Sequence, residues 1–144
     1  MKSKPLQQIY DLNIAFNGIN AAYADIAKKF DLNYNSLMVI YNMDHMEKCT
    51  QKNLCDILMV SKSTMHSILL AFMKKELVEL QSDPDNKKER IIVPTGKGAV
   101  YFREVCKSTH EIEEAVLREM NCEQYLELSK QYEAILKKQV KERL

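Results

Sequence analysis

Apolar residues recur along the first thirty positions with a helical period. Ile9, Phe16, Tyr23 and Phe30 repeat every seven residues, and so do Leu12, Ile19 and Ile26. The two sets interleave in steps of three and four, which predicts one helix over residues 6–30 with an apolar seam along it. Pro5 stands at its start, where a missing N–H costs little. A seam of this regularity calls for a partner helix, in the same chain or in a second subunit. The pattern leaves both open.

Shorter elements follow. Leu37, Met38, Ile40, Tyr41 and Met43 predict a second helix over 33–46. Thr50 is an N-cap residue type and opens a third, short helix with Leu54, Ile57 and Leu58 turned inward. Leu58-Met59-Val60 interrupts it. Ser61 then caps a fourth helix, in which Met65, Ile68, Leu69, Phe72 and Met73 form the apolar stripe. Its opposite face begins with Lys62, Ser63, His66 and Ser67, which are short or polar and include no acid. Residues 77–81 and 90–93 are β-prone and flank a polar stretch containing Pro84 and Asn86, so they predict a hairpin with its tip over 82–89. Thr95 is a candidate cap for a long helix to about residue 120, striped by Tyr101, Phe102, Val105, Ile112, Ala115 and Val116. The last helix, over 122–141, carries Tyr125, Leu128, Tyr132, Ile135, Leu136 and Val140.

Composition narrows the class. With 144 residues, 46% hydrophobic and 28% charged, the chain suits one folded domain. Only three glycines and three prolines favour long helices. No run of about 18 apolar residues is present, so no membrane partner is expected. The N-terminal stretch has no apolar signal core, so a cytoplasmic location is expected. Cys49, Cys55, Cys106 and Cys122 include no C-x-x-C pair and read as free thiols. No Gly-rich phosphate loop and no nucleophile–base arrangement is visible, so the chain is not expected to be an enzyme or to carry a cofactor. Net charge is only +1, but residues 50–100 hold eight Lys or Arg against six Asp or Glu, a mild bias toward a polyanionic partner.

The order of elements is helix, short helix, tight turn, helix with a small polar face, then a hairpin with a basic tip. That is a winged helix-turn-helix in a mainly α fold. A major groove about 12 Å wide accepts one helix whose leading residues reach base edges. Ser61, Lys62, Ser63, Thr64, His66 and Ser67 stand at that position. Asn86, Lys87, Lys88 and Arg90 lie on the hairpin, beside the adjacent backbone. Thr50, Gln51 and Lys52, at the start of the third helix, are candidates for phosphate contact through its N-terminus. Either cationic face also has a plain reading as solvated surface.

Residues 35–98 resemble the MarR family of bacterial transcription regulators. The resemblance rests on a T-x-x-x-L helix (Thr50, Leu54), S-T at the start of the recognition helix (Ser63, Thr64), a helix end reading L-V (Leu77, Val78) and a T-x-x-G after the wing (Thr95, Gly98). Each motif is weak alone; their shared order and spacing are not. The resemblance implies a single domain over 1–144, with 33–98 as the winged lobe and 1–32 and 99–144 as long N- and C-terminal dimerisation helices. It implies a homodimeric, ligand-responsive repressor bound to a palindromic double-stranded operator. Dimer contacts would fall to Ile9, Leu12, Tyr125, Leu128, Tyr132 and Leu136. A small-molecule effector would sit near Phe16, Tyr23, Tyr41 and Met43, which also read as ordinary core.

Departures from the family pattern are specific. Asn86 and Lys88 stand where Asp and Arg are expected, and His66 and Ser67 where many relatives have Thr and Arg. Lys lacks the planar fork of Arg, so this wing is expected to hold the backbone more than to read the minor groove. Met59 and Glu76 occupy positions that are often Gly. Some relatives sense zinc or oxidants. Asp44, His45, Cys49, His110 and Glu114 form no complete ligand set, so no metal is assigned. Cys49 and Cys55 lack any visible activating environment. A rival from another class is a winged-helix module that docks a protein through the same helix.

Overall fold

The structure is a computed structural model that describes residues 2–144. Six helices and one hairpin follow in the order α1 (Lys4–Lys28), α2 (Tyr34–His45), α3 (Gln51–Leu58), α4 (Lys62–Lys74), β1 (Val78–Ser82), β2 (Arg90–Pro94), α5 (Gly96–Leu117) and α6 (Cys122–Arg143). This is the mainly helical winged-helix fold that the residue pattern predicts. The chain divides into two compact units at Ser108 and Thr109, inside α5.

Caps set the boundaries of the first unit. The side chains of Asn33, Thr50 and Ser61 accept hydrogen bonds from the amides of Ser36, Asn53 and Thr64. Each satisfies a donor that the first helical turn leaves without a partner. Three helices of this unit end alike. After α1, Leu32 N–H donates to Ala27 O and Asp31 N–H to Lys28 O; after α4, Leu77 N–H donates to Phe72 O and Glu76 N–H to Met73 O. After α3, Val60 N–H reaches Cys55 O. These are Schellman endings, which need a left-handed residue just past the helix. Asp31, Met59 and Glu76 fill that place with φ of 56°, 53° and 59°. Glycine would do so without the Cβ clash.

The core is one cluster. Leu37, Val39 and Ile40 of α2, Leu54 of α3, and Met65, Ile68, Leu69 and Phe72 of α4 are buried with Val78, Ile92, Phe102 and Val105. Phe72 and Phe102 meet edge to face at 5.6 Å between centroids, a geometry that favours the ring quadrupoles. Ile57 departs from expectation: it is 50% exposed. Successive helical residues turn by about 100°, and the covered side of α3 is centred on Leu54, Cys55 and Leu58. Ile57 points to the side of that arc.

The hairpin is antiparallel, with Val78 opposite Pro94 and Ser82 opposite Arg90. A third strand-like segment lies along its outer edge: Thr50 bridges Ile91, and Ile92 N–H donates to Cys49 O at 2.8 Å. The end of the hairpin is tied to α4 and α5 through Thr95. Its hydroxyl donates to Glu76 O at 2.7 Å and accepts from Gly98 N–H at 2.9 Å. Gly98 sits so close to Leu77 that a Cβ would lie 1.8 Å from the Leu77 carbonyl oxygen. The T-x-x-G pattern is thus a cap and a close approach side by side.

In the second unit, α6 is capped by Asn121, whose side chain accepts from Glu123 N–H. No residue of α6 is buried. Tyr125, Leu128, Leu136 and Val140 are exposed and Tyr132 is half-buried. On α1, in the first unit, Ile9 is 44% exposed and Leu12 half-buried.

Candidate nucleic-acid interface

The start of α4 presents a small, hydrogen-bonding face. Lys62, Ser63, Thr64, His66 and Ser67 are all exposed, while Met65 between them is buried and fixes the rotation of the helix. Three hydroxyls here, of Ser61, Thr64 and Ser67, have local duties. Ser61 Oγ accepts from Thr64 N–H at 3.1 Å and donates to Thr64 Oγ1 at 3.0 Å. Ser67 Oγ donates to Ser63 O at 3.1 Å, which leaves its lone pairs outward. Ser61 therefore serves chiefly as the cap. Lys62, Ser63 and His66 have no such commitment among the hydrogen bonds of this helix.

Thr50 is buried, with its hydroxyl engaged as the α3 cap. It shapes the helix N-terminus, whereas Gln51 and Lys52 reach the surface beside it. These two line a groove together with Cys55, Asp56, Lys62, Lys88, Glu89 and Arg90. Four cations thus converge on one cleft against two acids. The fold draws them from the α3 start, the α4 start and the wing, three segments the chain separates by up to 38 positions. Opposed cations at a helix-lined cleft suit a phosphate backbone.

The wing tip is two consecutive turns. Asn86 N–H donates to Asp83 O, and Glu89 N–H donates to Asn86 O. Pro84 stands second in the first turn, where its fixed φ is favoured. Asn86 is committed to this geometry, since its Oδ1 accepts from Lys88 N–H at 3.2 Å. Lys87 and Lys88 project from the second turn and are exposed.

One pair went unread in the sequence. Lys48 Nζ lies 2.8 Å from Asp83 Oδ1 and 3.4 Å from Asp85 Oδ2, and the Asp83 side chain is only 6% exposed. Asp83 Oδ1 also accepts from Asp85 N–H at 2.9 Å. The Lys48 ammonium and then that amide hold the Asp83 carboxyl below its usual range. The same contact with Asp83 raises Lys48 above its ordinary value. A lowered carboxyl contributes stability above its unfolded value of about 4, lost as pH falls through the folded value; a raised lysine contributes below about 10, lost as pH rises through its own. The pair is therefore charged across the neutral range. A polar run such as 82–89 reads as solvated, and its partner lies 35 positions away, so no local signal marked it.

The remaining candidates fall elsewhere. Tyr23 and Tyr41 meet edge to face at 6.5 Å, and Tyr41 packs on His45 at 4.7 Å. Phe16 is half-buried, and Tyr23 and Met43 pack against the core. Burial pushes the Cys49 thiol up to about 11, so it stays protonated at neutral pH, which disfavours thiolate chemistry there. Cys55 is also raised, first by desolvation and then by Asp56. His110 Nδ1 lies 2.8 Å from Glu113 Oε1.

A wing beside a helix-turn-helix whose leading face is small and polar defines the winged-helix class. Within it, residues 30–89 match the sequence model of the MarR family. No curated protein matches the chain in sequence. Solved structures match over nearly its whole length. A MarR family regulator from Neisseria meningitidis superposes with a TM-score of 0.81 at 21% identity, covering 95% of this chain and 99% of that one. The Staphylococcus aureus MarR in complex with salicylate and kanamycin gives 0.70 at 17%, covering 94% and 95%. S. aureus MepR in a DNA-binding conformation gives 0.73 at 15%, covering 91% and 97%. At these identities the structural likeness speaks for the fold; the family model carries the resemblance of the winged lobe.

Proposed function

We propose that this protein is a sequence-specific double-stranded DNA-binding transcription regulator that acts as a homodimer. The observation that carries the reading is the cleft where Lys52, Lys62, Lys88 and Arg90 converge beside the exposed start of α4. Phosphate contacts in the cleft supply affinity, and Lys62, Ser63 and His66 at the leading turn read bases. The likeness to MepR in its DNA-binding conformation supports this arrangement.

A single lobe covers few base pairs, and two lobes address half-sites about 34 Å apart. The apolar side chains left exposed on α6 supply a surface for the second copy. Repression is the sign that the family resemblance suggests: a dimer seated on its operator blocks transcription. Effector control is proposed by analogy with the S. aureus MarR bound to salicylate and kanamycin. A ligand that prefers a different spacing of the two α4 helices shifts the population away from the DNA-competent state.

Selection from a random duplex pool tests this reading. The expected result is enrichment of a palindromic sequence, with a changed preference for His66→Ala. Failure to enrich any duplex, together with capture of a protein through the α4 face, favours a protein-docking module instead.

A further inference from the structure

Lys48 lies outside the cationic cleft, yet the structure ties it to the wing at two points. Its ammonium meets Asp83 at 2.8 Å and Asp85 at 3.4 Å. Asp83 is the pivot of the tip. Its carbonyl closes the first turn through Asn86 N–H, its carboxylate holds Asp85 N–H, and its own N–H donates to Glu89 O. Lys48 also begins the segment that lies along the wing, because Cys49 O accepts from Ile92 N–H and Thr50 bridges Ile91. Two positions later the same segment becomes the N-terminus of α3, with Gln51 and Lys52 at the cleft.

We propose that Lys48 is a positioning residue for DNA binding, clamping the wing tip to the α2–α3 segment so that Lys87 and Lys88 stand at a fixed span from Lys52. The role rests on the DNA-binding reading above, but the clamp itself does not. Phosphates are regularly spaced, so a fixed span between cations lets both ends engage without first ordering a loop. Removing the ammonium leaves the Asp83 carboxylate almost buried without its cation, which favours opening of the turn toward water. Arginine retains the charge and reaches the same two acceptors.

The test uses the full chain and two readouts. Amide exchange is measured without DNA on wild type, Lys48→Met and Lys48→Arg. The expected result is wing-tip amides at Asp83, Asn86 and Glu89 exchanging about tenfold faster in Lys48→Met. In Lys48→Arg they remain near wild type, and α4 amides are unchanged in both. Asp83→Asn reproduces the faster exchange from the other side of the clamp. Duplex affinity is then measured for Lys87→Ala in the wild-type and Lys48→Met backgrounds. The clamp predicts strong non-additivity: Lys87→Ala weakens binding about fivefold in wild type and less than about twofold once Lys48 is Met. Unchanged wing exchange in Lys48→Met, or additive affinities, overturns the proposal. Faster exchange with no duplex binding by any variant leaves the clamp standing and removes the DNA-binding reading alone.

Discussion

The winged lobe and the last helix use apolar residues in opposite ways. In the lobe, Leu37, Ile40, Leu54, Met65 and Leu69 are fully buried by neighbours from the same chain. On α6, Leu128 is 57% exposed and no residue is buried. Both segments show a helical apolar period, so periodicity alone does not tell a core stripe from a surface awaiting a partner. The lobe owes its coherence to tight backbone joints as well as to burial. The helix α6 has no buried residue to anchor it in this way.

The sharpest way to break the lobe is at its tightest joint. Gly98→Ala would place a Cβ against the Leu77 carbonyl, which the capped T-x-x-G turn has no room to relax. Overpacking against backbone at such a joint costs at least about 4 kcal/mol. Urea unfolding should show that loss; a change below about 1 kcal/mol contradicts the close approach.

The complementary change addresses α6. Leu128→Lys with Leu136→Lys removes two apolar side chains from its exposed face without disturbing a buried residue. If that face covers a second copy, the loss is about 3 kcal/mol of association, roughly a 100-fold weaker dimer. Sedimentation velocity should show monomers at concentrations where wild type is dimeric, with the helix content retained. A dimer of unchanged affinity would place the interface elsewhere.

A smaller effect sharpens the picture of the joints. Met59 is 78% exposed in a left-handed conformation and packs little. Met59→Gly should therefore stabilise the lobe by about 1 kcal/mol, as the relieved Cβ strain outweighs the added chain entropy. A rise of several degrees in Tm checks it; destabilisation would mean that the Met59 side chain makes contacts worth more than the strain.

These joints also mark where sequence reasoning succeeded. Thr50, Ser61 and Thr95 were legible as caps because their role is local, and each makes the expected bond within three positions. Helix boundaries followed from the same signals to within a turn. Ile57 was misplaced because an eight-residue helix has too few turns for its apolar centre to be read from periodicity. The left-handed Met59 and Glu76 were illegible from their own side chains, which disfavour that conformation, though the family pattern marked both positions as frequent glycines; Asp31 is of a type that adopts it more readily, and the Schellman endings supply the reason for all three. At the candidate interface, the exposed start of α4 was read from the small polar face opposite Met65 and Ile68. The Lys48–Asp83 pair was not, since contact between residues 35 positions apart is a property of the folded wing alone.

The cleft between α3, α4 and the wing is proposed to bind the phosphate backbone. The most direct measurement is duplex affinity as a function of salt for wild type and for Lys87→Ala with Lys88→Ala. Lys52, Lys88 and Arg90 of the cleft, with Lys87 beside them on the wing, in each lobe of a dimer predict a slope of log K against log salt of about −7. Removing the two wing lysines should weaken binding to all sequences alike and flatten that slope by about 2 to 4. Binding that ignores salt, or a slope that the double substitution leaves unchanged, would contradict the account.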